Sequence, residues 1–100
     1  MTGENKNELA SSMLSAIETL RLYRDYGCEP GSGTRALLEN DLFGALRRSD
    51  PNRQRILGEI ARWINSNMPA DSYGSRKKVD DWIEARWKDQ EEQKGAAGNG

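Results

Sequence analysis

The sequence contains no histidine and a single cysteine, Cys28, among its 100 residues. Without histidine the chain lacks the usual general base at neutral pH, the usual partner of a serine or cysteine nucleophile, and the commonest metal ligand. One cysteine can form neither an internal disulfide nor a cysteine metal cluster, and this usage is typical of a reducing compartment. We therefore expect a non-enzymatic cytoplasmic protein without metal or cofactor.

Long apolar runs and a sizeable net charge are also missing. No stretch approaches the roughly 20 apolar residues that span a bilayer, and the start MTGENKNE lacks the features of a signal peptide. Lys and Arg number 15 against 16 Asp and Glu, a net charge of −1. No global field therefore attracts the chain to nucleic acid or to a membrane, and we expect any basic site to be local.

Apolar residues recur at steps of three or four, the spacing of one buried helix face, in four segments. The predicted helices span residues 8–26, 34–48, 51–67 and 76–94. Gly27 is predicted to end the first helix, Asp50 and Pro51 to begin the third, and Ser75 to cap the fourth.

No segment alternates polar and apolar residues as a half-buried strand would. The predicted fold is all-α, a small four-helix bundle-like domain with short loops over residues 8–94. The remaining residues, 1–7 and 95–100, are predicted to be disordered.

The segment PGSGT, residues 30–34, precedes a predicted helix, as a phosphate-binding loop does. A Walker-type loop reads G-x-x-x-x-G-K-[ST] after a β-strand, because a lysine and a row of backbone N–H groups must converge on the phosphates. The segment GSGTR has no lysine and follows a predicted helix. We interpret it as the joint between two helices.

Two charged residues fall inside apolar stripes. On a helical wheel Asp41 lies within the stripe of the second predicted helix, and Arg53 lies within that of the third. A buried carboxylate requires a partner. We interpret Asp41 as a structural residue that pairs with Arg53 or with backbone N–H groups of residues 49–52.

Several large apolar side chains lie off these stripes or at their margin. We expect three of them to pack against a second neighbour or, if exposed together, to form an interaction patch: Leu22, Tyr26 and Phe43. We assign the tryptophans first to the core: Trp63, Trp82 and Trp87. Tyr73, in a loop beside Gly74, is the aromatic residue expected at the surface.

Positive charge is concentrated in the middle of the chain. Residues 35–78 carry nine basic and five acidic residues, a net +4, whereas the preceding and following segments carry −2 and −3. This centre is either a solvated face or a surface that contacts nucleic-acid backbone or an acidic protein. The helix-turn-helix pattern of residues 34–67 is a weak indication of DNA binding, because its turn, SDP, lacks the glycine often found there.

Residues 23–82 resemble a family of short proteins of phages, prophages and other mobile elements. The resemblance rests on tyrosine and glycine before PGS, on LENDLFGAL followed by RRSDPNR, and on IARWINSNMPADSYGS before VDDW. It implies no reaction. In length and character the chain is also similar to anti-CRISPR proteins, among them inhibitors of the type I-F surveillance complex, which prevent target DNA from loading.

The resemblance implies a non-enzymatic accessory protein that binds a host protein complex, with a type I CRISPR effector as the most concrete partner. The candidate contact residues, chosen for their loop positions and charge, are Asn40, Arg47, Arg48, Asp71, Tyr73, Asp80, Asp81 and Glu84. The alternative is a small DNA- or RNA-binding regulator. Its candidate phosphate contacts are Arg47, Arg48, Arg55, Arg62 and Lys77.

Overall fold

The computed structural model describes the backbone of residues 2–99 and the side chains of residues 8–92, and this part of the chain is all-α, as predicted. The helices are α1 (Thr2–Tyr26), α2 (Ser32–Leu38), α3 (Leu42–Arg48), α4 (Pro51–Arg55), α5 (Leu57–Asn67) and α6 (Arg76–Asn99), with a 3-10 turn at Ala70–Ser72. No strand occurs between residues 2 and 99, and no helix there is long and apolar enough for a membrane span. The predicted disordered ends, residues 1–7 and 95–100, lie outside the residues described in full.

The core lies around α1, which packs against α4, α5 and α6. Leu20 and Tyr23 of α1 are completely buried, as are Leu38 of α2 and Val79 of α6. Ile60 of α5 completes this centre with 1 % of its surface exposed. Burying a large aliphatic side chain contributes about 1.5–3 kcal/mol, so this shared apolar centre is what holds the short helices in place.

The predicted helix over residues 34–48 is wrong, because the chain breaks into α2 and α3 at Asn40. Asn40 adopts the left-handed conformation with φ 68°. The N–H groups of Asn40 and Asp41 donate to the carbonyls of Leu37 and Ala36, at 3.1 and 2.8 Å. This paired arrangement is a Schellman motif, in which asparagine takes the place usually held by glycine. Asp41 then begins α3, since its Oδ1 accepts a hydrogen bond from the Gly44 N–H at 2.9 Å.

The predicted helix over residues 51–67 is divided at Ile56 into α4 and α5. The Ile56 N–H donates to the Arg53 carbonyl three residues back, at 3.1 Å, which tightens the turn locally. The Ile60 N–H donates to the Ile56 carbonyl at 2.9 Å, so α5 starts directly afterwards. The side chain of Ile56 is buried, so the kink lies against the core.

Three predicted helix ends are confirmed. Asp50 is the N-cap of α4, since its Oδ1 accepts from the Arg53 N–H at 2.8 Å, and Pro51 occupies the first helical position. The hydroxyl of Ser75 accepts a hydrogen bond from the backbone N–H three residues later, at 3.1 Å, so Ser75 caps the start of α6. Gly27 follows α1 with φ 70°, a conformation that costs glycine no steric penalty.

The expected positions of several aromatic residues are wrong. Trp87 is 59 % exposed, although its indole N–H donates to the Gly27 carbonyl at 2.9 Å. Tyr73 is half-buried against the core, and its hydroxyl donates to Asn65 Oδ1 at 3.2 Å. The other two tryptophans are half-buried beside the core. The three side chains off the stripes are exposed, with Phe43 the most exposed at 72 %.

Candidate functional site

The outer face of α3 carries the most exposed apolar side chains in the middle of the chain. Gly44 and Ala45 are buried and lie on the side of α3 that packs against α2. Leu42 and Phe43, at 52 % and 72 % exposure, point away from that contact, and Arg47 lies one turn after Phe43. We call the surface formed by Leu42, Phe43 and Arg47 the α3 surface.

A glycine, Gly44, lies on the packed side of α3. A Cβ on Gly44 would lie 2.1 Å from Oδ2 of Asp41, the residue that caps the helix. A side chain at position 44 would therefore require the Asp41 carboxylate to shift from this position. The motif N-D-L-F-G thus combines the end of α2, the cap of α3 and the exposed phenylalanine within five residues.

A second feature is a cleft of about 210 Å³ between the start of α2 and the junction of α3 with α4. We call it the polar cleft. It is lined by residues 31–34, residues 48–50 and Arg53. The segment GSGT thus lies beside arginine side chains that are distant in the sequence.

Arg53 does not pair with Asp41, which corrects the predicted ion pair. Its Nε donates to the Ser12 hydroxyl and its Nη1 to the Thr34 hydroxyl, each at 3.1 Å. No carboxylate among the described side chains lies within ion-pair distance of it. A half-buried guanidinium held by two neutral hydroxyls keeps its positive charge without compensation.

Ser49 is one of the residues that line the polar cleft. Its hydroxyl oxygen is buried and has no hydrogen-bond partner among the described residues. A Cβ on Gly33 would lie 2.8 Å from this oxygen and 3.3 Å from the Arg48 carbonyl oxygen. Glycine at position 33 therefore allows the start of α2 to approach the end of α3, and this approach closes one side of the cleft.

The three acidic contact candidates on α6 are engaged with basic side chains. Asp80 joins Glu29 and Glu39 around the half-buried Arg35, with Glu39 at 2.8 Å. Burial of the guanidinium would lower the Arg35 pKa, but the hydrogen bonds that it donates to the three carboxylates outweigh this and raise it. Asp80 therefore has a structural partner that links α6 to α2.

Asp81 and Glu84, the other two acidic candidates on α6, lie on its exposed side. Asp81 pairs with Lys77 at 2.6 Å and Glu84 with Lys88 at 3.3 Å. The hydrogen bond to Asp81 raises the pKa of Lys77. Exposed pairs of this kind contribute little to stability, so a partner could displace them at low cost.

The loop candidates lie at the opposite end of the α2–α3 hairpin from Arg47 and Arg48. The Gly74 N–H donates to the Leu38 carbonyl at 2.7 Å, which places the 3-10 turn and Tyr73 beside the end of α2, near Asn40. Asp71 is exposed in this turn. The predicted contact residues therefore lie in three separate places. The loop residues lie at one end of the α2–α3 hairpin, the two arginines lie at the other end, and the remaining acidic residues lie on α6.

The candidates for the nucleic-acid alternative lie on four different helices. Arg62 is paired with Glu59 at 3.4 Å, and Lys77 is paired with Asp81. The other three, all exposed, have no carboxylate partner among the described side chains: Arg47, Arg48 and Arg55. Over residues 8–92 no group of cysteine and carboxylate side chains is placed to hold a metal ion.

The sequence interpretation missed Leu42, Ser49 and Arg53 as site residues. Leu42 shares the apolar spacing of its neighbours in residues 34–48, and this spacing predicts burial, whereas the residue is 52 % exposed. Arg53 was assigned to the structural pair with Asp41. The signal that could have located the cleft is the conjunction of PGSGT and RRSDPNR, two polar segments that flank a predicted helical hairpin.

Comparisons with protein-family models, with curated proteins and with solved structures found no match to this chain.

Proposed function

We propose that this chain is a non-enzymatic binding protein that contacts a protein partner through the α3 surface. The observation that carries the proposal is the exposure of Phe43, at 72 %, beside Leu42 and Arg47. Phenylalanine and arginine are among the residue types enriched at the centre of protein interfaces. Burying Phe43 in a partner would remove much of its exposed apolar surface from water.

The partner that we propose is a host protein complex, most concretely a type I CRISPR surveillance complex, following the family resemblance of residues 23–82. Arg47 would pair with an acidic group at the rim of the partner's apolar pocket, and Phe43 would fill the pocket. The bound chain would then block target DNA from loading by occupying space near the DNA path. This mechanism needs no reaction on the part of the chain.

Native mass spectrometry of the full chain mixed with a type I-F surveillance complex, before and after addition of target DNA, tests this proposal. A stoichiometric complex that no longer loads DNA is the expected result. Phe43→Ala should then weaken binding at least about 30-fold, the effect of a loss of about 2 kcal/mol typical of an interface hot spot.

Leu14→Ala is the matched control, because Leu14 is an apolar residue of α1 with a similar exposure of 68 %. This control should bind as the wild type does. Equal loss of binding in both variants would refute the α3 surface as the contact. Absence of any association would remove this complex as the partner and leave the α3 surface to be tested on others.

A second candidate function, a DNA- or RNA-binding regulator, is favoured by the three arginines that have no carboxylate partner among the described side chains: Arg47, Arg48 and Arg55. With Arg62 and Lys77 engaged by acidic neighbours, three phosphate contacts are the expected number. The logarithm of the affinity for duplex DNA should then fall with the logarithm of the salt concentration with a slope of about −2.7. A flat salt response would eliminate this candidate.

A further inference from the structure

The polar cleft combines features that the binding of a protein partner through the α3 surface does not use. Two arginines, Arg48 and Arg53, line a concave surface together with hydroxyl groups of residues 32, 34 and 49. Among the described residues that line the cleft, Asp50 is the only acidic one. The cleft therefore carries an excess of one positive charge.

The acidic residue is already engaged. Asp50 Oδ1 accepts the hydrogen bond from the Arg53 backbone N–H that caps α4. The guanidinium of Arg53 has Nε and Nη1 bound to hydroxyls and has its Nη2 without a partner among the described residues. Arg48 is exposed and has no carboxylate partner among those residues. Both guanidinium groups thus keep donors available to an anion.

We propose that the polar cleft binds a phosphate-type oxyanion between the guanidinium groups of Arg48 and Arg53. Guanidinium groups match the oxygen spacing of phosphate and donate to it in pairs, and such charge-assisted hydrogen bonds are about twice as strong as neutral ones. The volume of about 210 Å³ corresponds to roughly seven water molecules, which accommodates a phosphate group with part of an attached small molecule.

The lining of the cleft supplies a further observation that points to a ligand. A buried hydroxyl normally has a hydrogen-bond partner, and the Ser49 hydroxyl has none among the described residues. An oxyanion held by the two arginines would provide an acceptor on this side of the cleft. The close approach at Gly33 keeps Ser49 at this position. Hydrogen bonds to the Thr34 and Ser12 hydroxyls fix the orientation of the Arg53 guanidinium. One of the two cationic groups is therefore already in position before the anion binds.

Nuclear magnetic resonance titration of the full ¹⁵N-labelled chain with inorganic phosphate, at constant ionic strength set with sodium chloride, tests the site. The expected result is a saturable shift of the amide signals of residues 31–34 and 48–50. Arg48→Gln should raise the Kd for phosphate about tenfold, equivalent to about 1.4 kcal/mol. This variant removes an exposed side chain and leaves the hydrogen bonds of Arg53 intact.

Arg55→Gln is the matched control, because Arg55 is an exposed arginine outside the cleft without a carboxylate partner among the described side chains. It should leave the Kd for phosphate unchanged. Shifts that do not saturate, or an equal effect of both substitutions, would overturn the proposal.

Two further titrations identify the source of the phosphate group. Tighter binding of adenosine monophosphate than of inorganic phosphate, at the same residues, would support a small phosphomonoester. Equal affinities would support free phosphate. Binding of a short DNA duplex without any saturable response to inorganic phosphate would overturn the proposal and favour the nucleic-acid alternative.

Discussion

Replacement of Tyr23 by phenylalanine tests the buried hydrogen bond that joins α1 to the 3-10 turn. Tyr23 is completely buried, and its hydroxyl donates to the Ser72 carbonyl at 2.6 Å. Tyr23→Phe keeps the ring in the core but removes the hydroxyl that donates the hydrogen bond. The carbonyl of Ser72, a completely buried residue, then loses this hydrogen-bond partner. An unsatisfied buried group of this kind costs about 1–3 kcal/mol, so the free energy of unfolding should fall by that amount near pH 7.

The same residue gives stability a pH dependence at alkaline pH. Burial raises the pKa of Tyr23 well above its usual value near 10; nearby Arg35 lowers it, and the carboxylates of Glu29, Asp80 and Glu39 raise it further. In the unfolded chain tyrosine ionises near pH 10, whereas in the folded chain Tyr23 stays protonated. The contribution of protonated Tyr23 to the free energy of unfolding is therefore fully present below pH 10. It is lost as the pH rises toward the folded-state pKa, at up to about 1.4 kcal/mol per pH unit.

Urea unfolding followed by tryptophan fluorescence between pH 7 and pH 11 measures both effects. Lysines also titrate in this range, so the quantity to compare is the difference in unfolding free energy between wild type and Tyr23→Phe. That difference should shrink above pH 10, because the variant has no phenol at this position. Tyr73→Phe is the control, since the Tyr73 hydroxyl bonds to Asn65 at an exposed position, and it should change stability by less than about 0.5 kcal/mol. A constant difference up to pH 11 would refute the argument from burial.

Three further predictions concern helix ends and glycines, and all are measured by urea unfolding. Gly27→Ala should destabilise by about 2 kcal/mol or more, since Gly27 has φ 70° and a Cβ there would lie 2.7 Å from the Arg86 Cβ. Gly58→Ala, where the new Cβ meets no described atom within 4 Å outside its own helical turn, should stabilise α5 by up to about 1 kcal/mol, and a loss would contradict this. Asp50→Ala should cost about 1 kcal/mol through the lost cap, whereas Asp41→Asn should cost less than about 0.5 kcal/mol because asparagine caps equally well.

The helix ends that could be predicted from sequence are those in which the cap and its partner lie within one turn. Asp50 with Pro51, Ser75 and Gly27 all act on backbone groups three or four residues away. Such local hydrogen bonds are encoded in a few adjacent residues. The all-α class follows from apolar spacing, which is also a local property.

The break at Asn40 had a local signal that the apolar spacing concealed. Leucines on both sides of Asn40 and Asp41 continue the helical period, so the two residues were interpreted as part of one helix. Nevertheless, asparagine tolerates the positive φ found just after a helix end, and aspartate is a favoured N-cap residue, so the pair Asn40–Asp41 is typical of a break between two helices. Here the hydrogen bonds of the two caps outweigh the continuity of the apolar stripe.

The partners of Arg53 could not be predicted, because they come from distant parts of the chain. Ser12 lies 41 residues away and Thr34 lies 19 residues away in sequence. A helical wheel places Arg53 on the apolar side but does not tell which groups from other helices meet it. The exposure of Phe43 has the same origin, since it depends on α3 packing chiefly on α2.

The break at Asn40 is also what creates both candidate sites. In a continuous helix over residues 34–48, Arg48 would lie about 21 Å along the axis from Thr34. The Schellman turn instead reverses the chain, and the Arg48 carbonyl comes within 3.3 Å of the position of a Cβ on Gly33. This reversal closes the polar cleft at one end of the hairpin. It also leaves α3 too short to be covered by other helices, so Phe43 stays exposed beside Arg47. A disturbed Asn40 turn would therefore affect anion binding and partner binding together, although the two surfaces share no side chain.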